Sequence, residues 1–190
     1  MATRTLSGET ESGDLSVVAS FPSGALAAAV DGLGHGPEAA RAARVAVEIL
    51  ERFASEPLPR LVERSHDALA ETRGAVMSLA RFDVPQSRMT WLGVGNVEAT
   101  LLRAGGEEAI SCRADGGIVG YRLPPLRPAT LPVGRGDLLV FTTDGIRAGF
   151  ARASGLNGTP EELAGQILAE GNKGTDDALA LVVRYLGEGP

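Results

Sequence analysis

A single change of hydrophobic period, between residues 31 and 37, decides most of the architecture. Before it, residues 15–21 (LSVVASF) and 24–30 (GALAAAV) are apolar runs split only by Pro22-Ser23. They read as two neighbouring strands joined by a tight turn. After it, Ala39, Ala43, Ala46, Val47, Leu50 and Phe53 recur at helical spacing, which predicts an amphipathic helix over 37–54. Pro37 suits the first turn of that helix, where a missing N–H costs nothing. A second helix is expected over 58–72, with Leu61, Val62, Ser65, Ala68 and Leu69 on one face.

Most of the remainder reads as strand. Residues 75–82 (AVMSLARF) alternate, and 88–94 and 97–103 flank Gly95-Asn96 as a hairpin. A short strand is expected near 108–113, then loop with brief strand over 114–132. Residues 136–145 (GDLLVFTTDG) have a continuous apolar centre, the mark of a buried strand, and end in Asp-Gly. A helix over 160–170 begins with Thr159 as N-cap, Pro160, Glu161 and Glu162. A last strand covers 178–186, entered directly from Asp176-Asp177. Runs of strands segregated from helices argue an α+β protein with sheets packed face to face and helices outside.

Length and composition narrow the function classes. A chain of 190 residues fits one domain, 1–190, with 1–11 as an N-terminal arm and no sensor domain. Eighteen Lys+Arg against 24 Asp+Glu give a net charge of −6, which argues against a nucleic-acid partner. No apolar run approaches the roughly 20 residues that span a bilayer, and the first residues are polar, so no membrane partner is expected. Cys112 is the one cysteine, which excludes an internal disulfide and fits a reducing, cytoplasmic setting. It reads as a small apolar residue rather than a nucleophile.

Chemistry concentrates in aspartates at strand ends: Asp14, Asp31, Asp144 and Asp176, with Asp177 beside the last. Strand ends meet at the rim of a sheet, so these acids can converge although far apart in sequence. Converging carboxylates repel and need a compensating cation. Hard oxygen ligands favour magnesium or manganese, and two histidines with one cysteine do not make a zinc site of the usual kind. Asp-Gly is also an ordinary turn pair, and each dipeptide taken alone reads as a turn.

The combination and its order carry more. Ser12-Gly13-Asp14, DGLGHG at 31–36, GDLLVFTTDG at 136–145 and TDDALALVV at 175–183 resemble the metal-dependent serine/threonine phosphatases of the PP2C (PPM) superfamily. The resemblance is closest to the SpoIIE/RsbU-like branch and, within it, to the stand-alone stressosome phosphatases of RsbX type. The middle block agrees, with His66-Asp67-Ala68-Leu69, Thr72-Arg73-Gly74 and Gly93-Val94-Gly95-Asn96. The resemblance runs from about residue 12 to 184.

It implies a β-sandwich of two antiparallel sheets flanked by helices in αββα layers. It also implies two ions, Mn2+ or Mg2+. Asp31 would bridge them, the Gly32 carbonyl and Asp14 would complete one, and Asp144 with Asp176 would hold the other. A slip of one residue exchanges Asp176 and Asp177. The implied reaction is hydrolysis of a phosphoserine or phosphothreonine ester by a metal-activated bridging water. The implied substrates are STAS-domain proteins of a stress or sigma-factor pathway. His35 stands nearest the metal loop as a candidate acid for the leaving alkoxide, and equally as a structural histidine. Gly34 and Gly36 could offer backbone N–H groups to phosphate at a helix start, or simply form a strand-to-helix turn. Arg73 is a further phosphate candidate, or a solvated helix-end charge. The family's upstream phosphate-binding Arg has no convincing match here, and Ala148 stands where larger relatives carry an acid for a third ion. The rival from another class is a non-catalytic phosphoprotein-binding regulator on the same fold.

Overall fold

In the computed structural model, residues 1–149 and 157–187 are described. Among these residues, ten strands and three helices follow in chain order. They are β1 (Ala2–Arg4), β2 (Asp14–Phe21), β3 (Gly24–Gly32), α1 (Pro37–Arg52), α2 (Leu58–Ala68), β4 (Ala75–Asp83) and β5 (Arg88–Val94). After these come β6 (Glu98–Leu102), β7 (Ile110–Cys112), β8 (Ala129–Pro132), β9 (Leu138–Thr142), α3 (Pro160–Gly171) and β10 (Ala178–Arg184). They form two five-stranded antiparallel sheets, ordered β2-β3-β4-β5-β8 and β1-β10-β9-β6-β7.

Three apolar layers hold the stack together. The helix α1 lays Ala42, Ala43, Ala46 and Leu50 on Leu26, Ala28, Val30, Met77 and Leu79 of the first sheet, with Leu58, Leu61 and Val62 of α2 beside them. Between the sheets lie Ala27, Ala29, Phe82, Trp91, Leu139, Phe141 and Leu179. Outside the second sheet, Leu163, Ala164 and Ile167 of α3 cover Leu138, Val140, Ala180 and Val182. The αββα order expected from the resemblance is therefore the observed one.

The three layers correct the reading of β4. Its sequence was expected to alternate, yet Ala75 through Ala80 are all buried. Odd positions face the helices and even positions face the other sheet, so both faces are dry. Ser78 sits at that inner face without loss because the Trp91 indole N–H donates to its hydroxyl at 2.8 Å. A buried hydrogen bond of this kind contributes about 1 kcal/mol.

The N-terminal arm also differs from expectation. Residues 2–4 are a strand, β1, paired antiparallel with β10 through Thr3 opposite Leu179. Helix boundaries are shorter than the periodicity suggests: α1 stops at Arg52 and α2 at Ala68. The α3 start is as the sequence indicates. Thr159 accepts from the Glu162 backbone N–H, and the Glu162 carboxylate accepts from Thr159 N–H, a complete capping box.

Candidate active site

The hairpin of β2 and β3 builds the first half of the site. Its two-residue turn pairs Phe21 with Gly24, and the register then runs unbroken to Asp14 opposite Asp31. Directly opposed carboxylates on one strand pair are destabilising unless something compensates them. The second half comes from the other sheet. Asp144 follows β9, Asp176 precedes β10, and those strands pair Thr142 with Ala180. Both sheets thus deliver their acids to the same rim.

A cavity of about 470 Å3 opens at this rim, lined among others by Asp31, Gly34, Asn96, Ile118, Asp144 and Asp176. Asp14 lies one layer deeper, at 2% exposure, next to the others. Burial first, then the charges of Asp177, Asp144 and Asp176, push the Asp14 carboxyl up to about 7, against a lowering hydrogen bond from Thr143. Burial first, then Asp14, Asp144, Asp176 and Asp177, push Asp31 up to about 8. Among the described residues, no ion pair joins a cation to these acids. Lys173 Nζ donates to the backbone carbonyl of Asp144 at 2.6 Å, not to a carboxylate.

Two Asp-Gly pairs serve close approach rather than a left-handed turn. Neither Gly32 nor Gly145 has positive φ. A Cβ on Gly32 would stand 2.1 Å from the Ala39 carbonyl oxygen of α1, and one on Gly145 2.0 Å from the Asp177 carbonyl oxygen. Glycine is required because another backbone passes where a side chain would begin.

The neighbouring polar groups orient the acids. Thr143 accepts at its hydroxyl from Leu179 N–H at 2.9 Å, which leaves its O–H to donate to Asp14 Oδ2 at 2.6 Å. Asn96 donates from its amide to Asp144 Oδ2 at 2.9 Å. Asp177 accepts from Leu6 N–H at Oδ1 and from Gly13 N–H at Oδ2, both at 2.7 Å. Both its oxygens are therefore engaged in pinning the N-terminal arm, while Asp176 faces the cavity. Asn96 and Thr143 were missed as site residues. The signal for each was available: a polar residue immediately beside a strand that ends at the acidic rim.

The phosphate candidates separate. A Cβ on Gly34 would lie 3.0 Å from Arg73 Nη1, so the guanidinium borders the cavity through Gly34. The space at Gly36 is taken: a Cβ there would lie 2.5 Å from Glu9 Oε2. That carboxylate stands at the N-terminus of α1, which has no side-chain cap and favours negative charge. His35 does not line the cavity; its Nδ1 lies 2.6 Å from Glu9 Oε1, and its side chain is 57% exposed. Outside the site, burial pushes the Cys112 thiol up to about 11, which agrees with an inert cysteine.

The donors fit a hard divalent ion. They are carboxylates and carbonyls, short of compensating charge, at the mouth of an open cavity. Among the described residues, no three Asp, Glu, His or Cys side chains form a ready-made cage for one ion. Carboxylate and carbonyl oxygens suit magnesium or manganese rather than zinc.

Comparison with known proteins bears on the family and the fold. The family described as Stage II sporulation protein E (SpoIIE) matches residues 22–188. Phosphoserine phosphatase RsbX of Bacillus subtilis (strain 168) is 28% identical over 121 residues, 64% of this chain. The match spans 60% of that relative's length. A chain solved in work on the bacterial stressosome as a modular system adapted to control secondary messenger signalling is 35% identical. It superposes with a TM-score of 0.88 over 96% of each chain. RsbX solved in complex with magnesium shares the fold, with a TM-score of 0.85 at 23% identity over 95% of this chain and 91% of that one. As this chain's helices stand, none is long and apolar enough to cross a membrane among the described residues.

Proposed function

This chain belongs to the SpoIIE family of PP2C-like phosphatase domains, and from that membership we propose that it is a divalent-metal-dependent protein phosphatase acting on phosphoserine or phosphothreonine. The observation that carries the proposal is the register of Asp14 opposite Asp31, beside Asp144 and Asp176 at one rim. Residues 1–190 act as one phosphatase domain. The substrates proposed are phosphorylated STAS-domain regulators. The name of the phosphoserine phosphatase relative and the stressosome setting of the 35% identical chain support that choice.

Two ions, Mn2+ or Mg2+, are assigned to the rim. Asp31, the Gly32 carbonyl and Asp14 would hold one, and Asp31, Asp144 and Asp176 would hold the other. Bound there, they supply an activated water at neutral pH and charge compensation for the phosphoryl oxygens. Asp176 is preferred over Asp177 because both Asp177 oxygens hold backbone N–H groups. Asp177 is instead a positioning residue, fixing Gly13 and so the entry of β2 at Asp14.

The chain's own groups do the rest. Thr143 presents one fixed oxygen of Asp14, and Asn96 does the same for Asp144. Arg73 and the Gly34 backbone border the place where phosphoryl oxygens enter, and hold them there. Gly36 is not used for phosphate while Glu9 fills its space. His35, turned to Glu9, takes no part in proton transfer in this arrangement, so the alkoxide takes its proton from solvent at the open mouth.

The test is phosphate release from a serine-phosphorylated STAS-domain protein, with manganese and again with a chelator. Manganese-dependent release abolished by chelation is the expected result. No release from that protein or from an aryl phosphate would favour the non-catalytic regulator. Release from free phosphoserine as efficient as from the protein would make it a small-ester hydrolase, since protein preference needs binding energy from remote contacts.

A further inference from the structure

The stretch 114–132 was expected to be loop with brief strand, yet its residues 116–122 are fixed in place at the edge of the acidic cavity. Val119 is fully buried and bonded both ways to Ala75, each at 2.9 Å. Gly120 N–H donates to His66 Nδ1 of α2 at 3.0 Å. Ile118 and Arg122 exchange both backbone hydrogen bonds, at 2.9 and 2.8 Å, closing a small tight loop. Gly120, at φ +98, lies against Leu69, where a Cβ would approach to 2.7 Å.

So much fixation presents two side chains to solvent. Tyr121 is 80% exposed, the most exposed large hydrophobic residue among those described. Arg122 is exposed, and among the described residues its guanidinium has no hydrogen-bond or ion-pair partner. One face of the loop, Gly116 to Ile118, lines the acidic cavity. The other face lines a second groove of about 500 Å3, formed by Gly116, Gly117, Arg122, Leu123, Pro124 and Pro125. The two hollows share Gly116 and Gly117, so a chain whose phosphate enters the first runs directly into the second. The second groove holds one charge, and it is positive. Asp115, next in the chain, lines neither hollow.

We propose that this groove receives the substrate chain on one side of the phosphoserine, and that Arg122 selects an acidic side chain there while Leu123, Pro124 and Pro125 provide apolar contact. The proposal rests on the phosphatase reading. It gives an acidic enzyme of net charge −6 a local attraction for an acidic, phosphorylated segment. An unpaired arginine beside an apolar wall also matches the residue types that dominate recognition surfaces.

The test uses phosphoserine peptides identical except for flanking residues: acids before the phosphoserine, acids after it, alanines, or lysines. Each kcat/KM is divided by that of an aryl phosphate with the same protein and manganese. Wild type is expected to favour one of the two acidic peptides over the alanine peptide by about fivefold, the scale of one exposed ion pair. Arg122→Ala should lose that preference, and Arg122→Glu should turn it toward lysine by a similar factor. Aryl phosphate turnover without a flank preference, or a preference unchanged in Arg122→Glu, would overturn the groove and leave the phosphatase reading intact. No turnover of either ester would bring down the phosphatase reading, and the groove with it.

Discussion

The acidic rim has two unlike halves. Asp14, buried, and Asp31, half-buried at the cavity wall, come from one hairpin of the first sheet, and their carboxyls are pushed up to about 7 and about 8. Asp144 and Asp176, from loops of the second sheet, face the cavity, and Asp144 is exposed. The same residue type therefore carries a different load on each side. Water solvates the outer acids, whereas only a cation or a proton can neutralise the inner ones. On the proposed reading, the inner half holds its repulsion in reserve for an ion, and the outer half only has to meet one.

The largest expected effect separates function from stability on the inner side. Asp31→Asn should lower metal-dependent turnover by at least ~10^3-fold, the scale of losing a principal electrostatic group. The metal-free variant should nevertheless melt no lower than wild type, because a buried repelling acid has gone. Full activity in that variant, measured by phosphate release, would break the comparison at its root. Next comes Asp177→Ala, which leaves Leu6 N–H and Gly13 N–H without their acceptor in the interior. A cost of about 2–4 kcal/mol in urea unfolding is expected, about 1–3 kcal/mol for each N–H left without an acceptor less the repulsion relieved at Asp14 and Asp31. A loss below about 1 kcal/mol would show that the arm is not pinned there.

A pH series sharpens the same contrast. Asp14 and Asp31 bind protons more tightly folded, at about 7 and about 8, than at the unfolded value of 3.8. The folded state then holds more protons between these values, so stability falls as pH rises. The contribution is complete below about pH 4 and is lost progressively up to about pH 8. Metal-free protein should melt on the order of 10 °C lower at pH 8 than at pH 5, unless saturating magnesium is added. A flat profile without metal would contradict the buried repulsion. Smaller still, Thr143→Val should cost about 1–2 kcal/mol, and Asn96→Ala less than about 0.5 kcal/mol, because the outer carboxylate it orients is solvated. Asn96→Ala should still weaken magnesium binding by about tenfold, as lost support of a ligand does.

Much of the frame was legible in the sequence. The period change at Pro37 and the Thr159–Glu162 box mark helix starts that the structure reproduces. The Pro22-Ser23 turn contains the decisive register as well: counting outward from Phe21 and Gly24 brings Asp14 opposite Asp31. The remainder was hidden because it depends on partners distant in the chain. The pairing of β1 with β10 joins residues 2–4 to 178–180, and nothing local in a three-residue polar strand announces it. The contact of Glu9 with His35 follows from that same anchoring, and it removes a histidine that sequence places beside the metal loop. Likewise, β4 looks alternating until both of its faces are found covered. The division of labour between Asp176 and Asp177 is invisible in a repeated letter, and emerges only from the two backbone N–H groups that claim the second.

The most direct measurement is a magnesium titration of metal-free protein by calorimetry at pH 7, repeated in buffers of different ionisation enthalpy to count protons. The inner acids carry protons when no ion is bound, and ligands must shed them to bind one. The expected result is binding with release of about one proton or more per protein, a release that Asp31→Asn reduces more than Asp144→Asn, which removes only one of the charges that raise the inner acids. Absence of binding, or binding with no proton released, would contradict the assignment of the Asp14–Asp31 pair to a divalent ion.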